Sequence, residues 1–391
     1  MAGEVAIVAA HRSAIGKFMG GLSPLSPVDL GSQLLDKMLK KHDIDPILID
    51  HVIVGNVLAS GNGQNIARQI ALKIGMPHTT TAETINQVCG SGMLALIHAV
   101  QAIRLGDSEV VVAGGVESMS NAAYLLERQQ HKMGNLTLMD SMLRDGLTDA
   151  FSGEHMGLTA ERIAERYRLT RESQDAFALE SQCRAQQAVT SGRFKDEIIP
   201  IDVPQKRAQV NTVSQDEYPR FDSTIEALAK LRPAFKSDGS VTAGNSSGIN
   251  DGAAFLLLMT KEKASALNLT PLAIVKSYAS AGVDPEVMGL GPIPASQKAL
   301  QKAGLTVSDL DLIEGNEAFA AQALAVMQEL ALPADKTNVN GGAIALGHPI
   351  GASGARIVVT LVHEMMKQDA QYGLATLCIG GGQGDAIIIE R

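Results

Sequence analysis

Two stretches of this sequence decide the fold: TINQVCGSGMLALIHAV at residues 84–100 and NVNGGAIALGHPIGASGAR at residues 338–356. Each contains a glycine-rich motif, CGSG at 89–92 and GASG at 351–354, that directly precedes an amphipathic segment. Apolar residues recur in both segments at helical spacing, which predicts one buried stripe on each helix. The sequence therefore predicts a duplicated unit. The two stripes are Leu96, Val100 and Ile103, and Ile357, Leu361 and Met365.

The runs around these motifs repeat in the same order in the first and last 120 residues. EVAIVAAHRS parallels PLAIVKSYAS, IDHVIVGN parallels LDLIEGN, and EVVVAGG parallels GLATLCIGGG. Short β-branched runs of this kind are typical of buried strands, and amphipathic segments lie between them. The chain is therefore predicted to be an α/β protein made of two similar halves.

Residues 120–249 are richer in charged and polar residues and interrupt this repeat. They include the helical run LTRESQDAFALESQCRAQQAV, in which Thr170 is a candidate cap for the backbone of Ser173. We expect an inserted loop domain at 120–249. The N-terminal half then comprises 1–119 and about 250–268, and the C-terminal half comprises 269–391.

Composition limits the classes of partner. Lys and Arg number 33 against 42 Asp and Glu, and the net charge of -9 argues against a nucleic-acid-binding or anionic-membrane-binding surface. An anionic ligand would need a local basic patch. The N-terminus begins with a strand-like run instead of a signal peptide, and no apolar run approaches a membrane span. We expect a cytoplasmic protein.

Three widely separated cysteines, Cys89, Cys183 and Cys378, indicate neither a disulfide framework nor a metal site, so reduced thiols and no metal are expected. Cys89 directly precedes a predicted helix start, where free N–H groups and the helix dipole favour a thiolate. A nucleophile is one interpretation of Cys89. The other is an inert cysteine buried in a strand-to-helix turn.

Three other residues lie where α/β proteins place their sites. His348 occupies a loop with several glycines and is either a general base or a structural histidine. Cys378 ends a predicted strand before IGGGQG, whose amides either face a ligand or form a tight turn. Asn316 ends the corresponding earlier strand and either holds a water or carbonyl oxygen or caps a helix.

Five segments, taken together, resemble one family. NQVCGSGM, GNSSGINDGAA, EGNEAFAAQ, NVNGGAIALGHPIGASG and CIGGGQG are similar, in order and spacing, to the motifs of biosynthetic-type thiolases, and the resemblance covers essentially the whole chain. It implies the thiolase fold, with two βαβαβαββ-like halves in a five-layered α-β-α-β-α arrangement and a loop domain that binds CoA. It also implies a homo-oligomer, with a tetramer favoured over a dimer.

The resemblance further implies a reversible Claisen condensation of two acetyl-CoA to acetoacetyl-CoA and CoA, with CoA thioesters as substrates and no permanently bound cofactor. Cys89 would be the acylated nucleophile and His348 its activating base, while Cys378 would move the proton at the substrate's α-carbon. Asn316, through a water, would join His348 in one oxyanion hole. The backbone amides of Cys89 and Gly380 would form the other.

Ligand contacts are implied in the same way. Ser247 would meet the pantetheine, His155 and Met156 would line its tunnel, and Arg220 would lie near the nucleotide end. Taken alone, most of these residues suggest only ordinary loop roles. The walls of the site would be Phe235, Ala243, Ala318, Phe319 and Met288.

Two positions depart from the family pattern. Gly315 stands where the family usually has alanine, and its backbone freedom is expected to loosen the loop before Asn316. Glu154 stands where a tyrosine usually precedes His-Met. It places an acid near the expected substrate mouth, where it alters chain preference or faces solvent.

Three rival functions follow from the same residues. A degradative 3-ketoacyl-CoA thiolase of broader chain length would share Cys89, His348 and Cys378, although the HMG and VMG segments favour short chains. A decarboxylating ketosynthase would use Cys-His-His or Cys-His-Asn, and Cys378 within CIGGGQG argues against it. A non-catalytic acyl-CoA-binding relative would keep the fold with an inactive site.

Overall fold

The computed structural model describes residues 3–128, 133–206 and 209–391. Strands form where the β-branched runs were predicted, and short additional strands lie in the inserted region. The strands are β1 Val5–Arg12, β2 Gly16–Lys17, β3 His51–Gly55, β4 Thr81–Ile85, β5 Val110–Ser118, β6 Tyr124–Leu125, β7 Met139–Asp140, β8 Ile201–Pro204, β9 Val210–Val213, β10 Asn250–Thr260, β11 Ala273–Gly282, β12 Leu312–Gly315, β13 Tyr372–Ile379 and β14 Gln383–Glu390.

The helices alternate with these strands. As predicted, Thr170 caps one of them by accepting the N–H of Ser173. The helices are α1 Pro27–Lys41, α2 Ile66–Lys73, α3 Ser91–Leu105, α4 Gly157–Tyr167, α5 Arg171–Thr190, α6 Ile225–Ala229, α7 Lys261–Ala266, α8 Pro292–Ala303, α9 Ala320–Leu330, α10 Ala343–Leu346 and α11 Ile350–Gln368.

The strand order confirms the duplication. One half runs β1-β10-β5-β3-β4 and the other runs β11-β14-β13-β12, so β1 corresponds to β11, β10 to β14, β5 to β13 and β3 to β12. In both halves the first two pairings are antiparallel and the next is parallel. The halves join through a two-residue pairing of β1 with β11.

Helices α3 and α11 pack against each other in the core, and both predicted stripes are buried there. Their first turns approach so closely that only glycine fits. A Cβ on Gly92 would lie 2.8 Å from the backbone nitrogen of Ala355, and one on Gly354 would lie 2.4 Å from that of Met93. This approach brings the start of each helix against the strand ends of the opposite half.

The prediction that no apolar run approaches a membrane span is wrong for the stretch that contains α3. Residues Val88–Leu105 have the length and mean hydropathy, 1.4, of a membrane span. However, 61% of this stretch is buried within the protein, as in a core helix.

Corresponding strand registers identify corresponding residues in the two halves. The pairing of β3 with β5 aligns Gly55 with Gly115, and the pairing of β12 with β13 aligns Gly315 with Thr376. Gly115 on β5 and Thr376 on β13 are therefore equivalent positions. Two residues further along the same strands, Glu117 corresponds to Cys378.

The side chain of Glu117 is a fully buried carboxylate. It accepts the N–H groups of Val57, Leu58 and Gly351 at 3.0, 3.1 and 2.8 Å, and the side-chain amide of Asn56 at 3.0 Å. Burial raises the pKa of Glu117 to about 7, against the lowering effect of these N–H donors. The carboxylate thus links the loop after β3 to the first turn of α11.

Candidate active site

Cys89 lies in a tight, strained turn directly before α3. Val88 has a φ of +50°, a left-handed conformation that β-branched residues rarely adopt. The turn is held by Ser91, whose hydroxyl donates to the Val88 carbonyl at 2.6 Å and accepts the N–H of Gln87 at 2.9 Å. Strain of this kind is concentrated at functional sites.

Burial opposes the thiolate that the helix start is expected to favour at Cys89. Cys89 is 6% exposed, and burial raises its pKa to about 11 although the N–H groups of Gly380 and of Cys89 itself lower it. Desolvation therefore outweighs the favourable helix start. The resting residue is a thiol that needs a base. The two N–H groups expected to form an oxyanion hole both interact with this sulfur.

His348 is a buried, neutral histidine. Burial, and next the charge of Arg356, lower its pKa to about 3. Its Nδ1 lies 2.6 Å from the hydroxyl of Ser353, and its backbone N–H donates to Asn250 at 2.9 Å. Its Nε2 is buried without a hydrogen-bond partner among the described residues. A neutral ring with a free nitrogen can accept a proton as a general base, and its lowered pKa makes it a weaker base than an exposed histidine.

Cys378 is the penultimate residue of β13, so its predicted place at the end of a strand is confirmed. It is 1% exposed, and burial, followed by the neighbouring Cys89, raises its pKa above the usual range of a thiol. Cys378 is therefore protonated at rest and can exchange a proton only with a group close to it.

Asn316 does not cap a helix, because Phe319 occupies the position before α9. Its backbone N–H donates to the Thr376 carbonyl at 3.0 Å, while both polar atoms of its buried side chain lack partners among the described residues. With Gly315 and Thr376 it lines a cavity of about 20 Å³, which is enough for one water.

Gly315 does not leave its loop loose. Its N–H donates to the side-chain oxygen of Asn338 at 2.9 Å, and its carbonyl accepts from the same side chain at 2.8 Å. A Cβ at Gly315 would meet no atom within 4 Å. The alanine usual in the family would fit here, so the glycine is not required by the backbone.

A cavity of about 530 Å³, hereafter the central cavity, joins three of the expected catalytic residues. Cys89, His348 and Cys378 all line it. Asn316 and Gly380 are not among its lining residues. The ligand residues expected from the sequence all line the cavity, namely His155, Met156, Arg220, Phe235, Ala243, Ser247, Met288, Ala318 and Phe319.

Aromatic packing fixes one wall of the central cavity. The rings of His155 and Phe235 stack with centroids 4.5 Å apart, and Phe319 meets Phe235 edge-on at 6.1 Å. Burial lowers the pKa of His155, so this ring is an uncharged wall. A Cβ on Gly157 would lie 2.3 Å from Phe235, which explains the glycine after His155–Met156.

Several residues that line the central cavity were not predicted from the sequence. Tyr218 and Ile249 come from the inserted region and its border, and Lys17 and Phe18 from the end of β2 and the next residue. These loop positions carry no local signal. Among the described lining residues, the lysine and arginine side chains are those of Lys17 and Arg220, and none is Asp or Glu. The other lining side chains that can ionise are two cysteines, two histidines and one tyrosine. The central cavity thus provides the basic patch that an anionic ligand requires.

Glu154 does not line the central cavity. Its carboxylate lies 2.5 Å from the guanidinium of Arg162, on α4. Glu154, which replaces the tyrosine usual in the family, therefore forms an ion pair at a half-exposed site. Its carboxylate does not face the central cavity.

Cys183 on α5 is exposed, whereas Cys89 is buried with a raised pKa. We therefore expect iodoacetamide to label Cys183 first at pH 7, because the raised pKa keeps Cys89 almost entirely in the thiol form. Labelling of Cys89 should accelerate about tenfold per pH unit from pH 7 to 9, and acetyl-CoA should protect it. Peptide mass mapping measures both rates. A Cys89 rate that is independent of pH in this range would contradict the raised pKa.

Comparisons with known proteins identify the family. The family model "Thiolase, N-terminal domain" matches residues 5–262, and "Thiolase, C-terminal domain" matches residues 269–391. The chain belongs to the thiolase family, and the fold expected from the resemblance is confirmed.

Individual relatives cover the whole chain. The acetyl-CoA acetyltransferase of Chromobacterium violaceum is 56% identical over 99% of this chain and 100% of its own length. That of Escherichia coli (strain K12) is 55% identical over 98% of each. The crystal structure of the Bacillus anthracis acetyl-CoA acetyltransferase has a TM-score of 0.97 at 47% identity, covering 99% and 98%. Human mitochondrial 3-ketoacyl-CoA thiolase has a TM-score of 0.95 at 43% identity over the same shares.

Proposed function

We propose that this chain is an acetyl-CoA acetyltransferase, which reversibly condenses two acetyl-CoA into acetoacetyl-CoA and CoA. One observation carries the proposal: the central cavity brings together two buried thiols, Cys89 and Cys378, and the neutral His348. Full-length relatives named acetyl-CoA acetyltransferase support it at 51–56% identity. The test is acetoacetyl-CoA formation from acetyl-CoA by the purified protein, together with acetylation of Cys89 detected by mass spectrometry.

The first half of the reaction transfers an acetyl group to Cys89. His348 removes the thiol proton as the sulfur attacks the thioester carbon of acetyl-CoA, and the CoA thiolate leaves and takes up a proton. The backbone N–H groups of Cys89 and Gly380 would hold the oxygen that becomes negatively charged. Both interact with the Cys89 sulfur in the free protein, so they lie beside the reacting atom.

The second half forms the carbon–carbon bond. His348, neutral again after the first half, takes the thiol proton of Cys378, and the Cys378 thiolate removes a proton from the methyl group of a second acetyl-CoA. The resulting enolate carbon attacks the acetyl-cysteine carbonyl, and the Cys89 sulfur that is released takes the proton back from His348. His348 and Asn316, the latter through a water, would stabilise the enolate oxygen. The buried, unpaired side-chain amide of Asn316 supports this role.

Substrate binding would use the rest of the central cavity. The pantetheine would meet Ser247 between the walls of His155 and Phe319, and Arg220 with Lys17 would attract the anionic nucleotide end. CoA thioesters would be substrates, without a resident cofactor. We further propose that residues 120–249 form an inserted CoA-binding domain, and that the protein is a cytoplasmic homo-oligomer, with a tetramer favoured.

The alternative function is that of a degradative 3-ketoacyl-CoA thiolase of broader chain length, and one similar solved structure is named human mitochondrial 3-ketoacyl-CoA thiolase. Met288 argues for short chains. It is 3% exposed and packs in one apolar cluster with Met156, Phe319 and Cys378. A longer acyl chain would have to displace this packing.

We therefore expect acetoacetyl-CoA to be cleaved at least about tenfold more efficiently than 3-ketohexanoyl-CoA, since misfit by one methylene group costs about 10- to 200-fold. Thiolysis rates at saturating CoA give kcat/KM for each substrate. Met288→Ala is the matched variant and should narrow the difference by opening space. Equal or rising efficiency with chain length would assign the protein to the degradative class, and no thiolysis of any substrate would indicate a non-catalytic relative.

A further inference from the structure

The two ring nitrogens of His348 have different surroundings. Nδ1 lies 2.6 Å from the hydroxyl oxygen of Ser353, in the first turn of α11. Nε2 is buried and has no partner within the described part of the chain. His348 and Cys89 line the same cavity. Only the ring nitrogen that carries no proton can accept one from Cys89, so the tautomer of His348 determines which nitrogen acts.

The hydroxyl of Ser353 has two neighbours that could take its proton. Besides Nδ1, the carbonyl of Pro349, four residues earlier, lies 2.9 Å from its oxygen. A serine hydroxyl has one proton, and a carbonyl can only accept. Both contacts are hydrogen bonds at once only if the hydroxyl donates to Pro349 and Nδ1, carrying the ring proton, donates to the hydroxyl. Nε2 then presents a lone pair.

The opposite tautomer would be less well accommodated. A bare Nδ1 would face the oxygen of Ser353 unless the hydroxyl turned away from Pro349 and lost that hydrogen bond. Nε2 has no partner among the described residues in either tautomer, so its surroundings do not distinguish the two. The tautomer with the proton on Nδ1 is favoured because it alone keeps both hydrogen bonds of Ser353.

We infer that Ser353 is a positioning residue that holds His348 in the tautomer whose Nε2 accepts the Cys89 proton. The inference rests on the proposed function for its consequence. In that step the S–H bond breaks, an N–H bond forms at Nε2, and the sulfur electron pair attacks the thioester carbon. Because Ser353 is a neutral hydroxyl and not a carboxylate, the imidazolium gains little stabilisation and readily passes its proton to the departing CoA thiolate.

Nitrogen NMR of the free protein, labelled with ¹⁵N-histidine, tests the tautomer directly. The His348 signal is identified as the one missing from His348→Asn. We expect a protonated Nδ1 and an unprotonated Nε2 near neutral pH. A proton on Nε2 overturns the inference. Because this measurement needs no substrate, it can succeed even if the proposed activity fails, and it can fail when the activity is present.

Kinetics test the consequence. In Ser353→Ala we expect both tautomers to be populated and acetylation of Cys89 to slow by roughly 10- to 100-fold, the range for losing an orienting hydrogen bond. Ser353→Thr, which keeps the hydroxyl, should restore most of the rate. Ser277→Ala is the matched control, because it loses a buried hydroxyl bond to Ala299 at 2.7 Å and does not line the central cavity.

A folded Ser353→Ala protein that is acetylated at the unaltered rate overturns the inference. If that variant does not fold, Ser353→Thr decides. An active Thr variant with Nδ1 protonated supports the role, and an active Thr variant with the opposite tautomer overturns it.

Discussion

Cys89→Ala is expected to lose acetoacetyl-CoA thiolysis by roughly five to six orders of magnitude, as enzymes do when their nucleophile is removed. The reason is that every step of the proposed reaction passes through the thioester at this sulfur. Cys89→Ser should be almost as inactive, because an oxygen ester is a poorer acyl donor than a thioester. Thiolysis followed by absorbance, with intact mass after mixing with acetyl-CoA, measures both effects.

Cys183→Ala is the matched control for this experiment. Cys183 lies on α5, is exposed and does not line the central cavity, so its loss should leave the rate unchanged. Turnover that survives in Cys89→Ala, or is lost in Cys183→Ala, would transfer the nucleophile role away from Cys89.

Cys378→Ala is expected to separate the two halves of the reaction. Acetylation should persist, with some slowing, because it depends on Cys89 and His348. Carbon–carbon bond formation should fall by roughly two to four orders of magnitude, since the proton at the α-carbon loses its acceptor. The paired measurement is accumulation of acetyl-enzyme by intact mass and formation of acetoacetyl-CoA by absorbance.

The same pair of measurements can reject this role. Near-normal condensation in Cys378→Ala would make Cys378 a packing residue in the apolar cluster with Met288, and proton transfer would fall to His348 alone. Loss of acetylation with a normal melting temperature would instead make Cys378 part of the first step.

The fold can be predicted from the sequence because its signals are local. The stripes that contain Leu96 and Ile357 follow helical spacing, and the strand that ends at Cys378 is a continuous apolar run before glycines. Both follow from short stretches of chain. The duplication adds a second, independent copy of each signal, which strengthens the prediction.

The properties of the site depend on contacts between distant segments and are harder to predict. The local rule for a helix start gives Cys89 a thiolate, yet burial by both halves raises its pKa. Two other contacts could not be predicted from local sequence either. They are the ion pair of Glu154 with Arg162 and the hydrogen bond from the Gly315 N–H to the Asn338 side chain. Lys17 meets the central cavity from a segment with no motif, so only the structure identifies it.

The duplication places two equivalent pairs of residues in the chain, and only one pair consists of thiols: Cys89 and Cys378 correspond to Gly351 and Glu117. Where one half has Cys378, the other has a carboxylate surrounded by four N–H donors, and its oxygen lies 2.5 Å from where a Cβ on Gly351 would stand. Gly351, the counterpart of Cys89, therefore could not be a cysteine without displacing that carboxylate. We therefore expect acetyl-CoA to load one acetyl group per polypeptide, at Cys89, because the equivalent pair of positions, Gly351 and Glu117, contains no thiol.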